Sequence, residues 1–348
     1  MTERVYLDWN ATTPLRAEVR AAMIAAMDVA GNPSSVHAEG RAAKTLIEKA
    51  RAQVAEALGA DGADIVFVSS ATEAAALACA GRGLVCSDIE HEAVSAWCRA
   101  VLPTDENGQV EVADPAGTAL QYANSETGIL QTLPEGLAVS DLTQAFGKVP
   151  LAFNWLGCEM ALVSAHKLGG PKGVGALVIR RGLDVAAQLK GGGQEMGRRA
   201  GTENILGIAG FGAAAEAASR DLADGVWDRV AEIRNILDST LCGGGNVTIS
   251  VGKETPRLPN TLCLVTPGWK GETQVMQMDL AGFAVSAGSA CSSGKVRQSR
   301  VLRAMGFDEV GASSALRISL GPDVTKDQAD RFAEAWTKAR ARHLARLA

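Results

Sequence analysis

The stretch SAHKLGGPKG, residues 164–173, follows the apolar run EMALV and places Lys167 directly after a predicted buried strand. A solvated loop cation is the simplest explanation for a lysine in that position. The alternative is a lysine held there for chemistry, because the carboxyl ends of the strands in an open α/β sheet surround its ligand crevice. The residues at the ends of the other predicted strands decide between these two explanations.

Similar apolar runs recur on both sides of this stretch and alternate with helical patterns. The runs are DIVFVSS (64–70), GLVCSD (83–88), ALQYANSE (119–126), LAVSD (137–141), MALVSA (160–165) and GALVIRR (175–181). Apolar residues at helical spacing predict helices over 44–58 and 72–80 and two helices across 205–241. Near-continuous apolar strands between helices predict a mostly parallel sheet that is covered on both faces.

Glycine and proline cluster in CGGGNVTISVGKETPRLPN, residues 242–260, and mark a candidate domain boundary. Beyond it, NTLCLVT, FAVSAG and ALRISL read as strands, with helices predicted near 272–280, 299–305 and 326–344. We therefore expect a large domain over 15–245 and a smaller α/β domain formed by 1–14 and 246–348.

Composition limits the class of protein. The 348 residues are 47% hydrophobic and 21% charged, with no apolar run long enough to span a membrane. The net charge is −5 and the basic residues are dispersed, so neither nucleic acid nor a membrane surface is an expected partner. No secretory signal is visible, which predicts a cytoplasmic protein. Seven scattered cysteines without a CxxC pair indicate neither a disulfide framework nor a zinc site.

Polar residues follow four successive predicted strands. They are His91, Asn124, Asp141 with Gln144, and Ser164 with His166 and Lys167. Thr72, where an earlier strand passes into a helix, suits a phosphate because a helix start offers free N–H groups, although a plain helix cap is the alternative.

A lysine, a carboxylate, a histidine and phosphate donors together favour pyridoxal phosphate. The cofactor needs an amine for a Schiff base, a carboxylate that keeps its pyridine nitrogen protonated, and donors for its phosphate. Lys167 would then lie at a strand end because its amine must reach a cofactor lying across the sheet.

At this point the sequence resembles the cysteine desulfurases, class V members of the fold type I pyridoxal phosphate enzymes. The resemblance runs nearly end to end, and its most specific motifs are SAHKLGGPKG, GGGQEMGRRAGTEN and SAGSACSSG. It implies a large domain with a mostly parallel seven-stranded sheet and a smaller C-terminal α/β domain.

The resemblance implies a role for each candidate residue. Lys167 would form the Schiff base, Asp141 would hold the pyridine nitrogen, Gln144 would bind the phenolic oxygen and His91 would stack on the ring and move protons. The phosphate would be held by Thr72, Ser164 and His166, and by Thr202 of the other subunit, which makes a homodimer part of the site. Asn124 and Arg317 would bind the substrate carboxylate.

Cys291 lies among small residues in SAGSACSSG, which favours a mobile loop over a buried inert thiol. The resemblance implies that its thiolate takes the sulfur of L-cysteine, leaving alanine and a persulfide for an acceptor protein. An iron–sulfur scaffold, a tRNA thiolation enzyme and a cofactor biosynthesis protein all remain open as acceptors.

Other readings remain open. A selenocysteine lyase or another class V enzyme is the nearest rival, and a non-catalytic scaffold that keeps the fold is the third. Two features depart from the family pattern. Ser70 stands where the family usually has glycine, and the chain is shortened between His91 and Asp141, where helices that cover one sheet face appear trimmed.

Overall fold

The computed structural model describes residues 4–243, 247–288 and 298–346. The α-helices of this part of the chain are α1 (Ala17–Met27), α2 (Ala38–Ala57), α3 (Ala71–Cys79), α4 (Glu92–Ser95), α5 (Ile205–Ala223), α6 (Val226–Cys242), α7 (Gly271–Leu280), α8 (Arg300–Ala304), α9 (Glu309–Ser313) and α10 (Lys326–Leu344). Short 3-10 helices cover Pro115–Gly117, Phe153–Trp155, Ala165–Lys167 and Glu195–Gly197.

The strands alternate with these helices. They are β1 (Val5–Tyr6), β2 (Asp64–Val68), β3 (Val85–Ser87), β4 (Arg99–Leu102), β5 (Ala119–Gln121), β6 (Val139–Asp141), β7 (Met160–Ser164), β8 (Gly175–Ile179), β9 (Ile249–Ser250), β10 (Thr261–Val265), β11 (Phe283–Ala284), β12 (Ser286–Ala287) and β13 (Ala315–Ser319). Each apolar run of the sequence is therefore confirmed as a strand, with shorter bounds.

Of the seven strands expected in the main sheet, five form one sheet among the described residues, in the order β2-β8-β7-β6-β5. The parallel pair β3-β4 forms a separate two-stranded sheet, and a single parallel bridge from Val85 to Thr118, which precedes β5, connects it to the edge of the larger sheet. The β8 strand is antiparallel to both neighbours, and the remaining pairs are parallel. The sheet is thus mostly parallel, and β5, β6 and β7 end at one common edge.

Helices cover both faces of this sheet, and alternate strand residues pack into different cores. Ile65 and Phe67 of β2 pack with α1, α2 and α5, whereas Val66 and Val68 pack with α3 and α4. Because both faces are buried, the strands read as continuous apolar runs rather than as an alternating pattern. Cys79, Cys86, Cys158 and Cys263 are fully buried.

Between His91 and Asp141 the helices of the described chain are the four-residue α4 and one short 3-10 turn, and the strands are β4, β5 and β6. Trimming relative to the family stays a prediction. Strand β4 leaves Val101 exposed at the edge of the sheet.

A second core lies around the antiparallel sheet β12-β13-β10-β9. The N-terminal strand β1 pairs with β11, and its Val5 packs in this core, as does Trp227 of α6. The buried side chains of α6 therefore belong to the second core, although the division of the chain at residue 245 stays a prediction. In the described ranges no helix combines the length and apolarity that a membrane crossing needs.

Candidate active site

Lys167 ends the 3-10 turn that follows β7, at the common strand edge. Its amine donates to the backbone carbonyls of Asn10 at 2.5 Å and Ala11 at 2.9 Å. The two glycines after it are required by close packing. Gly169 has φ +91°, and a Cβ at Gly170 would lie 2.7 Å from the Ala165 carbonyl oxygen. The motif therefore builds the tight turn that places the lysine.

The N-terminal segment, defined here as residues 8–16, crosses this turn and fixes it. The Thr13 hydroxyl donates to the His166 carbonyl at 2.8 Å and accepts from the Gly169 N–H at 2.8 Å. Arg16 donates through Nε to the Leu168 carbonyl at 2.9 Å and forms an ion pair with Asp221 on α5. The turn is held from outside as well as by its own glycines.

Asn10 connects the two halves of the site. Its side chain is buried, donates through Nδ2 to the Thr261 hydroxyl at 2.9 Å and accepts from Asn260 at 3.1 Å. Its backbone carbonyl accepts both from Lys167 and, at 2.9 Å, from Nε2 of Gln144. The buried amine of Lys148 in turn donates to the Gln144 Oε1 at 2.9 Å.

Asp141 closes β6 at the same edge, one strand away from Lys167. Its Oδ1 accepts from the Thr143 N–H at 2.8 Å, and its side chain is partly buried. Glu90 lies close by, fully buried, with Oε1 accepting from the Gln121 N–H at 2.7 Å and Oε2 without a described partner. Burial, and next the negative charge of Asp141, raise the pKa of Glu90 well above its usual value.

His91 follows β3 and Asn124 follows β5, and the two loops are joined by a hydrogen bond. The Asn124 amide donates to the Ile89 carbonyl, two residues before His91, at 3.1 Å, and its Oδ1 accepts from the N–H groups of Glu126 and Thr127 at 2.9 Å. The exposed His91 caps α4, with Nδ1 accepting from the Ala93 N–H at 3.1 Å. Because Nδ1 accepts, the proton of the neutral ring lies on Nε2.

His166 and Ser164 flank the lysine turn. The Ser164 side chain is buried at the end of β7, and His166 places Nδ1 3.1 Å from the Thr12 hydroxyl. Burial, followed by the charges of Lys167, Lys172 and Lys148, lowers the pKa of His166 to about 4. The ring is therefore neutral near pH 7 and can donate one N–H to an anion.

Arg317 enters the site from β13 of the second core. Its side chain is buried, with Nη2 2.8 Å from Asp8 Oδ1 and Nη1 donating to the Ser125 carbonyl at 3.1 Å. Its Nε–H has no partner among the described residues. Since Ser125 follows Asn124, the two residues expected to bind the substrate carboxylate are linked through this carbonyl.

The start of α3 differs from expectation in one respect. Ser70, not Thr72, is the N-cap, with its hydroxyl accepting from the Glu73 N–H at 3.4 Å, so the cap interpretation of Thr72 is wrong. Thr72 is exposed in the first turn. Ser70 has φ −174°, an extended backbone that any residue adopts, so replacing the family glycine leaves the turn unstrained.

Thr202 is exposed in the loop before α5. The same loop is tied to the start of α3, because Arg199 donates to Glu73 at 2.8 Å. The contribution of Thr202 across a subunit interface stays a prediction. Cys291 lies outside the described residues.

Glu126 lies close to Gly288 and Ser299, two described residues on either side of the segment that carries Cys291. The Ser299 hydroxyl donates to its Oε2, and a Cβ at Gly288 would lie 3.0 Å from the same oxygen. Burial raises the pKa of Glu126 to about 7, although Ser299, Arg317 and Arg300 each lower it. The two ends of the segment thus meet one carboxyl group.

The sequence reasoning missed several residues that build this site. They are Asp8, Asn10, Thr13, Glu90, Glu126 and Lys148. All six lie in segments that share the resemblance to the cysteine desulfurases, namely YLDWNATTPL, EHEAV, NSETG and SDLTQAFGK. The residue type alone gave no signal for Lys148, because a lysine after glycine is typical of a surface position.

Comparisons with known proteins agree with this geometry. The aminotransferase class-V family model matches residues 5–332. A cysteine desulfurase of Cereibacter sphaeroides is 38% identical over 95% of this chain and 94% of its own, and cysteine desulfurase IscS of Dictyoglomus turgidum is 35% identical over 94% and 92%.

Solved structures give the same result. The NifS-like protein from Rickettsia africae superposes with a TM-score of 0.87 at 32% identity, covering 97% of this chain and 99% of its own. The SspA structure in complex with cysteine superposes with a TM-score of 0.76 at 26% identity, covering 91% and 99%. The fold is therefore that of the fold type I, class V enzymes.

Proposed function

Because the chain belongs to the cysteine desulfurases of the class-V aminotransferase family, we propose that it uses pyridoxal phosphate to remove sulfur from L-cysteine. The products are L-alanine and a persulfide on Cys291, from which the sulfur passes to an acceptor protein. The observation that carries the proposal is the convergence of Lys167 and Gln144 on the Asn10 carbonyl, at the strand edge where Asp141 also ends.

The donor set of this edge fits the cofactor. Lys167 supplies the primary amine, Asp141 supplies a carboxylate one strand away, and Gln144 supplies an amide donor beside the amine. Neutral His166 and the buried Ser164 supply donors beside the turn, and Thr72 lies in the first turn of α3. When bound, the cofactor supplies an electron-poor ring that stabilises negative charge at the substrate α-carbon.

The residues of this chain then divide the remaining tasks. The Arg317 fork, with the Asn124 amide, binds and orients the substrate carboxylate, because a guanidinium pairs with a carboxylate through two parallel hydrogen bonds. Asp8 occupies Nη2 of that fork in the structure, so substrate competes with an internal carboxylate. His91, which carries its neutral-ring proton on the exposed Nε2 side, moves protons at the substrate.

The sulfur transfer consumes no external oxidant. The Cys291 thiolate attacks the substrate sulfur, the Cβ–S bond breaks, and its electron pair stays on Cβ, which takes up a proton to give alanine. The thiolate is the nucleophile, so Cys291 must be deprotonated when it attacks. A cytoplasmic homodimer, with Thr202 completing the phosphate site of the other subunit, is part of the proposal. Its support is the resemblance of RAGTEN to the family motif and the exposure of Thr202.

The test is turnover of L-cysteine by the cofactor-loaded protein, with alanine and sulfide measured in the presence of a thiol reductant. Cys291→Ala is expected to keep the bound, coloured cofactor and to lose at least about 100-fold in turnover. Cys242→Ala, at the end of α6, is the matched control and is expected to turn over normally. Full cysteine turnover in Cys291→Ala, or a protein that stays colourless when supplied with the cofactor, would contradict the proposal.

A further inference from the structure

Lys148 is a buried lysine for which the proposed chemistry has no role. It follows the segment that carries Asp141 and Gln144, and its residue surface is 2% exposed. Lysine is almost never fully buried unless it is paired with a carboxylate. In the part of the chain that the structure describes, no carboxylate lies within salt-bridge distance of this amine. An ion pair with a carboxylate therefore does not explain why this lysine is buried.

Both acceptors of the Lys148 amine belong to Gln144. Nζ donates to the Gln144 backbone carbonyl at 2.9 Å and to its Oε1 at 2.9 Å. The charged groups that act on the amine are Lys167 and Arg317, and both are cations. Burial first, and then these two charges, lower the pKa of Lys148 well below its usual value. The amine is thus held against a neutral residue in a cationic surrounding.

This contact decides which end of the Gln144 amide faces Lys167. With Oε1 on Lys148, Nε2 points to the Asn10 carbonyl, which also accepts from Lys167. A reversed amide would set its NH2 group against the Lys148 amine and its oxygen against the Asn10 carbonyl. The amide oxygen and the Asn10 carbonyl both only accept, so the reversed amide would repel this carbonyl, and the Lys148 amine would lose its side-chain acceptor Oε1.

We propose that Lys148 is a positioning residue that locks the Gln144 amide with its N–H donor toward the lysine-bound cofactor. The inference rests on the proposed function, because it concerns the donor that Gln144 offers to the phenolic oxygen of that cofactor. Without Lys148 only the Asn10 carbonyl opposes the reversed amide, which presents an acceptor where a donor is needed.

The readout is the pH midpoint of the colour change of the bound cofactor, measured by absorbance without substrate. A fixed donor on the phenolic oxygen competes with the imine proton for that oxygen and lowers the midpoint. Lys148→Met removes both donated hydrogen bonds and is expected to raise the midpoint by about one pH unit. Gln144→Ala is expected to raise it similarly, and the double variant to show no further rise, since both changes remove the same donor.

Control variants separate positioning from packing. Phe146→Leu, two residues away in the adjoining core, loosens the same segment without touching Gln144 and is expected to leave the midpoint unchanged. Lys148→Arg keeps a donor for Oε1 and is expected to restore most of the wild-type midpoint. If Lys148→Met does not fold, Lys148→Leu, which also lacks a donor for Oε1, decides, with an expected rise in the same direction.

The outcomes distinguish this inference from the proposed function. A wild-type protein that binds no cofactor overturns the proposed function and this inference with it. A wild-type protein that is coloured and turns over cysteine, while Lys148→Met and Lys148→Leu keep its midpoint, overturns the inference alone. An equal shift in Phe146→Leu would likewise contradict it, because packing would then be the cause.

Discussion

The amine of Lys167 and the side-chain amide of Gln144 donate to one backbone carbonyl, that of Asn10, at 2.5 and 2.9 Å. The two donors come from strand ends of the large sheet, whereas the carbonyl belongs to the N-terminal segment. Because that segment is also bonded to β10 through Asn10 and to β13 through Asp8, it connects Lys167 at the end of the large sheet with the second core.

The first prediction concerns the Asn10 side chain. Asn10→Ala removes donors to Ser125 and Thr261 and leaves the Asn260 amide without one of its acceptors. We expect the free energy of unfolding to fall by about 2 kcal/mol, since buried polar groups lose their partners. Cysteine turnover should fall about tenfold, because the carbonyl that orients two site residues is displaced.

Chemical denaturation and steady-state kinetics check this prediction. Asn154→Ala is the matched control, because Asn154 is exposed and makes one hydrogen bond to the Asp61 carbonyl. Its free energy of unfolding is expected to stay within about 0.5 kcal/mol of the wild type. Equal effects of the two substitutions on the free energy of unfolding and on turnover would contradict the proposed role of Asn10 in organising the site.

The second prediction concerns Arg317. Arg317→Lys keeps the charge but loses the planar fork that now bonds Asp8 and the Ser125 carbonyl. If this fork binds the substrate carboxylate, KM for L-cysteine should rise about 10- to 100-fold, because a lysine cannot form two parallel hydrogen bonds. The measurement is the split between KM and kcat.

A second buried arginine provides the comparison. Arg257 pairs with Asp238 in the second core, and Arg257→Lys changes the same chemical group away from the lysine turn. It is expected to lower stability and to leave KM unchanged. A rise in KM that is the same in both variants would exclude a specific role for Arg317 in substrate binding.

The third prediction is a pH dependence of stability that arises at Glu126. Its pKa of about 7 in the folded protein lies above the usual value for glutamate, so between pH 4.5 and 7 the folded state holds more protons than the unfolded state. Stability therefore falls as the pH rises through this window. Glu126→Gln removes the titration, so its free energy of unfolding relative to the wild type should be higher at pH 8 than at pH 5, by about 1 to 3 kcal/mol.

Denaturation of both proteins at the two pH values gives this difference directly. Glu232→Gln, at an exposed position of α6, is the control and should show the same relative stability at both pH values. The idea fails if the relative stability of Glu126→Gln does not change with pH.

Much of the large domain could be predicted from the sequence because burial on both sheet faces leaves a strong local signal. IVFV and GALVI are apolar throughout, and their odd and even residues pack in different cores. The antiparallel direction of β8 could not be predicted, because a buried apolar run has the same residue pattern in a parallel and in an antiparallel strand. The packing of α6 with the second core was missed for a similar reason, since its helical pattern does not say which sheet it covers.

Prediction of the candidate site from the sequence meets the same limit. Lys167, Asp141 and Gln144 could be found because strand ends of a parallel sheet converge. Asn10 could not, because it meets Lys167 across 157 residues of chain and its contact is made by a backbone carbonyl. The burial of Lys148 could not be predicted either, because the hydrogen bonds to Gln144 that offset its free-energy cost are visible only in the folded structure.

The last prediction tests the turn that places the lysine. In Gly170→Ala the new Cβ would lie 2.7 Å from the Ala165 carbonyl oxygen and 2.8 Å from the Ala165 Cβ, so the turn Ala165–Lys167 must move. We expect a loss of about 1 to 3 kcal/mol in the free energy of unfolding, as for other overpacked sites. Cofactor affinity should fall at least about tenfold, because the shifted amine no longer meets its partners. Unfolding of the cofactor-free protein and an absorbance titration with the cofactor measure the two effects. Gly193→Ala is the control, since no atom lies within 4 Å of its added Cβ. Wild-type cofactor affinity in Gly170→Ala would mean that the glycine pair does not set the position of Lys167.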